Sequence, residues 1–400
     1  MEPYKRSNIV TPFKPNLETI NPTKRLLFID NIRWLMIVFV VLIHLNCTYG
    51  NIGLWYYHEA SPGDFFSISF FNLIGSHTQA YFMGFLFLIA GFFVPDSFDK
   101  KGGGWFIRDR LFRLGIPTLV YMALLQPITF LIMDAFNHRL PKDPFSWYLK
   151  YLFSSNFISG SGPLWFALAL LIFSMIYALI RLISPQKKTR PDEEKPAVIT
   201  HSRILALIAL ISLFAFGIRL VQPIGTAFYN MQLCNFSQYI ILFSLGIIAY
   251  RRNLLANLSY EFGRFWFTLA LSLGIPFWSL ISLLGGALTD WSPFAGGFHW
   301  QAAAYAVWES FFCVGICLGL LVLFRDNFNI QGKFSRFLSD NAFGVYVFHT
   351  PLLVGATMMV REIAIYPVIK MILMSIIVLP VCFGFSYLLR KVPLMKKLFS

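Results

Sequence analysis

Charged residues are scarce in this 400-residue chain, and acidic residues are the scarcest of them. Lysine, arginine, aspartate and glutamate together make up 13% of the residues, whereas ordinary soluble domains contain about 25%. Hydrophobic residues make up 57%, and the mean hydropathy is +0.63. This composition excludes an ordinary soluble globular domain and indicates a protein that lies largely within a membrane.

Cysteine is also scarce, and its five positions all lie in or beside apolar runs. Cys313 and Cys317 share one helix face but lack further partners at the spacing of a zinc site. We therefore expect packing residues there, and no metal site. Glycines at 102–104 are not followed by the Lys-Ser/Thr pair that a phosphate-binding P-loop requires. The pattern excludes both a disulfide framework and a P-loop nucleotide site.

Long apolar runs, in contrast, recur along the whole chain. A helix needs about 20 apolar residues to cross the hydrocarbon core, and ten segments approach that length. They cover residues 26–47, 70–94, 114–134, 162–184, 203–222, 233–250, 263–286, 300–324, 341–360 and 366–389. We predict an all-α, polytopic membrane protein with about ten transmembrane helices. A single membrane domain at 26–390, with a cytoplasmic linker near 184–202, would join cytoplasmic segments at 1–25 and 391–400.

The basic residues are distributed unevenly between the two sides that these spans define. If the N-terminus is cytoplasmic, 26 of the 33 lysines and arginines fall in cytoplasmic segments and four fall in outer segments. The positive-inside rule then predicts a multi-pass cell-membrane protein with both termini in the cytoplasm. The net charge of +14 does not indicate a nucleic-acid partner, because the charges flank membrane segments and form no single groove.

Two ionisable residues, Arg33 and His44, lie within the first apolar run. Such groups are costly in hydrocarbon, and at membrane depth they are functional candidates by default. Eleven residues separate them, which places both on one helix face about 16 Å apart along the axis. Asp30 lies about one turn from Arg33, where its carboxylate would orient the guanidinium. We predict a polar stripe that connects one membrane surface to the opposite half of the bilayer.

Glu309 and His349 are further polar residues inside later spans. Each lies well in from an end of its own helix, so both can approach the middle of the bilayer. A base and its orienting carboxylate could meet there, and Glu309 is the candidate partner for His44. The alternative is that these groups only satisfy one another within a packed bundle.

A second basic cluster precedes the third span. Arg110 and Arg113 are i, i+3 neighbours, so both guanidiniums can face one ligand. Arginine is suited to bidentate phosphate binding. The alternative is ordinary anchoring of a helix end by lipid headgroups.

Five motifs in this order resemble the acyltransferase-3 family of integral membrane acyltransferases. The first-helix Arg-x10-His pattern and the Arg-x-x-Arg pattern before the third helix are present at Arg33 to His44 and at Arg110 to Arg113. FLFLIAGFFV at 85–94 is similar to the family's FFxxSGF-type stretch, with Ala90 in place of the usual serine. GPLWF at 162–166 resembles its G-x-LWF motif.

The fifth motif, SDNAFGVYVFHTPLL at 339–353, is similar to the family's late-helix pattern. Its spacing is Tyr-x-x-His between Tyr346 and His349, where the family pattern has Tyr-x-x-x-x-His. The resemblance covers nearly all of the chain and is that of a stand-alone form, similar to the glucan-modifying and succinylating branch.

The resemblance implies transfer of a small acyl group from cytoplasmic acyl-CoA to a hydroxyl of an extracytoplasmic carbohydrate or cell-envelope glycan. Acyl-CoA would be a substrate, not a bound cofactor. Arg33, Arg110 and Arg113, with Asp30 behind Arg33, would then bind the phosphates of CoA at the cytoplasmic side.

Histidine is the natural base near neutral pH, and His44 lies toward the outer side, from which the acceptor would arrive. We expect His44, Glu309 and His349 to carry the chemistry, with His44 either a base or transiently acylated. Acetyl and succinyl donors both stay open. A succinyl group would call for one more cation, for which Arg219 is a candidate.

Two other functions compete with this hypothesis. A transporter would use the intramembrane Arg, His and Glu as a proton or anion relay, but the chain has no evident paired repeats. A lipid acyltransferase is suggested by the His-x4-Asp spacing of His138 and Asp143, which we interpret as a chance match in a short outer loop. Trp55 and Trp147, at span ends, are expected in an interfacial aromatic belt, with stacking on sugar rings as the alternative.

Overall fold

A computed structural model describes residues 26–60, 63–184 and 198–399, and within these ranges the chain folds into helices without a sheet. The predicted N-terminal segment at 1–25 and most of the predicted linker near 184–202 lie outside the described residues. The helices are α1 (Leu27–Gly50), α2 (Phe65–Lys101), α3 (Gly103–Phe136), α4 (Pro144–Leu152), α5 (Ser155–Ile158), α6 (Gly162–Ile183), α7 (His201–Arg219), α8 (Leu233–Arg251), α9 (Leu254–Asn257), α10 (Tyr260–Gly285), α11 (Ser292–Ala295), α12 (Trp300–Asn327), α13 (Lys333–Met359), α14 (Pro367–Leu389) and α15 (Pro393–Leu398).

Ten of these helices are long and apolar enough to cross a membrane, and each overlaps one predicted span. The prediction of an all-α polytopic membrane protein is therefore confirmed.

Capping side chains and a glycine determine where several helices begin or end. The Asp64 carboxylate accepts a hydrogen bond from the Ser67 amide at the start of α2, and Ser259 caps α10 in the same way. Gly102 ends α2 at a φ of +74°, which favours glycine.

Polar contacts tie the helix ends together at one end of the bundle, here called the basic end. The side-chain amide of Asn31, at the start of α1, donates to the carbonyls of Phe328 and Ile330 that follow α12. Asp99, near the end of α2, accepts from Arg181 of α6 and Arg251 of α8. The first turn of α1 and the last turns of α2, α6, α8 and α12 therefore lie at the same end. The loop that connects α1 to α2 lies at the opposite end.

Glycines bring neighbouring helix backbones close together inside the bundle. A Cβ at Gly91 of α2 would lie 2.1 Å from the carbonyl oxygen of Phe243 on α8, and one at Gly246 would lie 2.2 Å from the Leu88 carbonyl oxygen. On α12, Gly315 and Gly319 face α10 in the same way. The small-xxx-small pair of α12 is thus a helix contact, as its spacing favours.

Helix α3 contains two π-turns, at Leu111–Gly115 and Tyr121–Leu125. Each is followed within two residues by a proline, Pro117 or Pro127, which has no N–H to donate to an earlier carbonyl. In the second π-turn, the backbone N–H of Gln126 donates to the carbonyl of Tyr121 instead of to the carbonyl of Met122. The carbonyls of Met122 and Ala123 therefore need other donors. The hydroxyls of Tyr151 and Tyr148 on α4 supply them, at 2.5 and 3.0 Å.

Candidate active site

The imidazoles of His44 on α1 and His349 on α13 form the centre of the candidate site. His349 Nε2 lies 3.1 Å from His44 Nδ1, and the rings are nearly parallel, with centroids 5.1 Å apart. His349 is fully buried, whereas His44 is partly exposed. The two residues are 305 positions apart in sequence, so the packing of α1 against α13 creates the pair.

Backbone carbonyls determine which ring nitrogens carry hydrogen. His349 Nδ1 lies 2.9 Å from the Tyr346 oxygen and 3.3 Å from the Val345 oxygen. A carbonyl only accepts, so this nitrogen must carry the proton. Nε2 of the neutral His349 ring is then an acceptor, and His44 Nδ1 must donate to it. The lone pair of His44 is thereby left on Nε2, where it can accept a proton from a substrate.

The loop after α1 covers this pair with an aromatic side chain. Trp55 stacks on His44, with centroids 3.9 Å apart and an interplanar angle of 15°. The Glu59 amide donates to the Thr48 carbonyl, and the Glu59 carboxylate is bound by Lys370 Nζ of α14 at 2.6 Å. The loop is therefore anchored on α14, and Trp55 restricts the His44 ring to one orientation.

The GPLWF segment supports the pair from the α6 side. The Tyr346 hydroxyl, one turn before His349, donates to the Pro163 carbonyl. Gly162 has a φ of +47°, and a Cβ there would lie 2.4 Å from the Tyr121 ring. Phe166 contacts the Tyr346 ring edge-on. This motif therefore fixes the part of α13 that carries His349.

A group of hydroxyls lies next to the histidines at the opposite end of the bundle. The Tyr56 side chain packs edge-on against Trp55, and its hydroxyl is bound to Gln126 and to the Tyr121 hydroxyl. Burial raises the pKa of Tyr56 to about 12. Tyr56 therefore remains a neutral hydroxyl at physiological pH.

The three arginines that we expected to bind the phosphates of CoA lie together at the basic end. Arg33 pairs with Asp30 at 3.3 Å, as predicted, and its guanidinium lies 4.7 Å from the centre of the Phe93 ring. Arg110 lies within electrostatic range of both Arg33 and Arg113. Arg113 also pairs with Asp109, at 3.2 Å. Arg33 and Arg113 are substantially exposed, so this cluster places cations at the surface of the basic end.

Glu309 is not a partner of His44, and the pairing that we expected between them is wrong. The Glu309 carboxylate is bound to Nη2 of Arg219 at 2.5 Å, and both side chains are buried. Arg219 also donates to Asn235 at 3.3 Å. The carboxylate pairs with the guanidinium because a buried charge requires an opposite one. It also neutralises Arg219, the cation that we considered for a succinyl group.

The other sequence candidates have local structural roles. Asp143 caps α4 by accepting from the amides of Phe145 and Ser146, which gives its carboxylate a local structural role. Within the described residues, no group of three or more His, Cys, Asp or Glu side chains could hold a metal ion.

Sequence reasoning missed Trp55 and Tyr346 as neighbours of the histidines. The one available signal was the Tyr-x-x-His spacing, which places Tyr346 one helical turn before His349. Trp55 gave no such signal, because a tryptophan just after an apolar run is also typical of a membrane interface.

Comparison with known proteins gives a consistent picture. A family model described as an acyltransferase domain matches residues 26–391. Glucans biosynthesis protein C from Salmonella paratyphi A, and the proteins of that name from Salmonella agona and Salmonella gallinarum, are each 26% identical to this chain over 239 residues. The matched stretch covers 57% of this chain and 59% of each of these relatives. No solved structure matches. With the family model matched from residue 26 to residue 391, the chain belongs to the acyltransferase-3 family, and its ten long apolar helices are those of a multi-pass membrane protein.

Proposed function

We propose that this protein transfers an acetyl or succinyl group from acyl-CoA to a hydroxyl of an extracytoplasmic carbohydrate. The observation that carries the proposal is the imidazole pair, in which His349 Nε2 lies 3.1 Å from His44 Nδ1. This contact leaves the lone pair of His44 on Nε2, and His44 is the partly exposed member of the pair. His44 is the catalytic base, and His349 is the group that orients it.

The proposed chemistry follows from these hydrogen bonds. The acceptor hydroxyl gives its proton to His44 Nε2 while its oxygen attacks the thioester carbonyl. The new C–O bond forms, the C–S bond breaks, and the proton passes to the leaving thiolate. While His44 is an imidazolium, its Nδ1–H donates a charge-assisted hydrogen bond to His349 Nε2. His349 thus has the part that a carboxylate has in the Ser-His-Asp arrangement, but without a charge of its own.

The cations at the basic end support acyl-CoA as the donor. Arg33 is on the same helix as His44, eleven residues earlier, or about 16 Å along the axis. Arg110, on α3, lies within electrostatic range of Arg33 and of its own neighbour Arg113. The phosphates of CoA bind this cluster, and the pantetheine arm extends along α1 toward His44. Asp30 holds Arg33 in place.

The distribution of lysine and arginine supports a cytoplasmic position for the basic end. Acyl-CoA then enters from the cytoplasm, and the acceptor reaches His44 from outside the cell membrane. A carbohydrate acceptor is supported by the name of the relatives, which are glucans biosynthesis proteins. They are matched over only part of their length, so the acceptor is part of the proposal.

The experiment uses inverted membrane vesicles, which expose the cytoplasmic face. Labelled acetyl-CoA or succinyl-CoA is added outside, and CoA release and label on lumenal carbohydrate are measured for wild-type protein, His44→Ala and His299→Ala. His299 is an exposed histidine at the opposite end whose side chain does not cap its helix, so it is a matched control. We expect transfer by the wild type and His299→Ala, and a loss of about 10²–10⁴-fold in His44→Ala.

Two results would contradict the proposal. Undiminished transfer by His44→Ala would remove the base from this residue. Folded wild-type protein that releases no CoA from either donor would leave the arginine cluster without its proposed ligand and favour a transporter.

A further inference from the structure

A groove of about 400 Å³ opens at the opposite end of the bundle, between the last turns of α3 and the short helices α4 and α5. Phe130, Trp147 and Tyr151 form its aromatic wall. The Trp147 and Tyr151 rings are nearly parallel, at 12°, with centroids 6.1 Å apart. Tyr151 is buried, and Trp147 is partly exposed.

Polar side chains complete the lining. Asp134, Lys150 and Asn156 contribute a carboxylate, an ammonium and an amide. One acidic and one basic group leave the groove without a net charge. Flat aromatic rings beside hydrogen-bonding groups of both kinds suit a pyranose sugar, because such a ring has apolar C–H faces and hydroxyls at its edge.

The groove is preformed by the architecture of α3. The hydroxyls of Tyr148 and Tyr151 are fixed on carbonyls that the second π-turn releases, so α4 is held against α3 at two points. A rigid aromatic wall loses little conformational entropy when a ligand binds. An interfacial anchor for lipid would not require these hydrogen bonds.

The groove also adjoins the histidine pair. Phe130 lies 6.1 Å from the Tyr56 ring, and Tyr56 lies 5.2 Å from Trp55. Trp55 is stacked on His44 at 3.9 Å. Only two side chains therefore separate the aromatic wall from the proposed base.

We propose that this groove is an acceptor subsite that binds a neutral hexose unit of a glycan while a neighbouring hydroxyl reaches His44. Its place in catalysis rests on the proposed function, whereas its binding of sugar does not. Trp147 is a binding residue that stacks on the sugar.

The test measures equilibrium binding of a glucose tetrasaccharide, without acyl-CoA, to protein in nanodiscs by titration calorimetry. The variants are Trp147→Ala and Trp147→Phe, with Trp300→Ala as the matched control. Trp300 is an exposed tryptophan at the same end, outside the groove. We expect at least about tenfold weaker binding by Trp147→Ala, which corresponds to about 1.4 kcal/mol. Trp147→Phe should retain most of the affinity, and Trp300→Ala should bind as the wild type does.

Three outcomes would overturn the proposal. The first is no binding by the wild type, and the second is binding by Trp147→Ala within twofold of the wild type. The third is tighter binding of a hexuronate tetrasaccharide, because a charged acceptor would then be preferred. If the tetrasaccharide binds as expected but no acyl group is transferred, the proposed function fails and the sugar subsite stands. Where transfer occurs, Trp147→Ala should raise the KM for the acceptor about tenfold and leave the KM for acyl-CoA unchanged.

Discussion

His349 allows the sharpest test of the proposed chemistry, because it contacts His44 and its effect on the rate can be derived from one hydrogen bond. In His349→Phe, the ring volume is kept but the acceptor for His44 Nδ1–H is lost. The wild-type contact, at 3.1 Å, is within ordinary hydrogen-bond distance. It becomes charge-assisted when His44 gains a proton in the transition state.

The expected loss follows from the strength of such a bond. Hydrogen bonds to charged groups contribute about 1.5–3 kcal/mol, and each 1.36 kcal/mol is about a tenfold change in rate. We therefore expect kcat of His349→Phe to fall about 10- to 150-fold. The KM for acyl-CoA should not change, because the arginine cluster lies near the other end of α1.

The assay is initial-rate CoA release and acyl transfer by purified protein in proteoliposomes, with folded protein verified by thermal unfolding. His349→Gln is the matched variant, because its amide oxygen can accept from His44, and it should recover part of the lost rate. His44→Ala combined with His349→Phe should be no slower than His44→Ala alone, since the two residues act as a unit. A His349→Phe rate within twofold of the wild type would refute the reasoning, as would a His349→Gln rate equal to that of His349→Phe.

Three further predictions concern the two ends and the packing of the bundle. Arg33→Gln and Arg110→Gln should each raise the KM for acyl-CoA about tenfold, through loss of about 1.5 kcal/mol of charge-assisted binding. The control is Arg336→Gln, which changes an exposed arginine at the basic end and should leave the KM unchanged. Equal KM values for all three variants would contradict the proposed donor site. Glu309→Gln and Arg219→Met should each lower the free energy of unfolding by about 3–5 kcal/mol, because each leaves an unpaired buried charge. Replacement of both residues by methionine should cost less. Equal shifts in Tm for the single and double variants would contradict this. Gly91→Ala should destabilise the fold by about 1–3 kcal/mol or more, because its Cβ would lie 2.1 Å from the Phe243 carbonyl oxygen. Gly384→Ala is the control, because a Cβ there meets no atom within 4 Å. Thermal unfolding compares the two variants, and equal Tm values would contradict the packing argument.

The membrane spans could be predicted from the sequence because each depends only on local composition. A run of about 20 apolar residues satisfies its own backbone hydrogen bonds as a helix, whatever its neighbours are. The Asp30–Arg33 contact was predictable for the same reason, since it is an i, i+3 pair on one helix. The position of Arg33 and His44 on α1 also follows from helical periodicity alone.

The partners of the buried polar groups could not be predicted in this way. His44 meets His349 across 305 residues, and Arg219 meets Glu309 across 90 residues. Helix periodicity gives the depth of each group but not the helix that it faces. With one carboxylate and two imidazoles at similar depths, chemical complementarity favoured His44 with Glu309. Sequence reasoning treated Arg219 as a possible substrate cation, and thereby overlooked the charge that Glu309 had to neutralise.

The geometry of α1 joins the two halves of the proposed reaction. A single uninterrupted helix carries Arg33 near the basic end and His44 toward the opposite end. Their separation of about 16 Å is therefore fixed by helix rise and does not depend on the closure of a domain. A short donor held by Arg33 would not reach His44, whereas an acyl group on a long flexible arm would. In the proposed reaction the acceptor comes to His44 from the opposite end, where Trp55 and Tyr56 lie between His44 and an aromatic groove. In the proposed reaction, the helix that holds the arginine for the CoA phosphates thus also determines the side from which each substrate arrives.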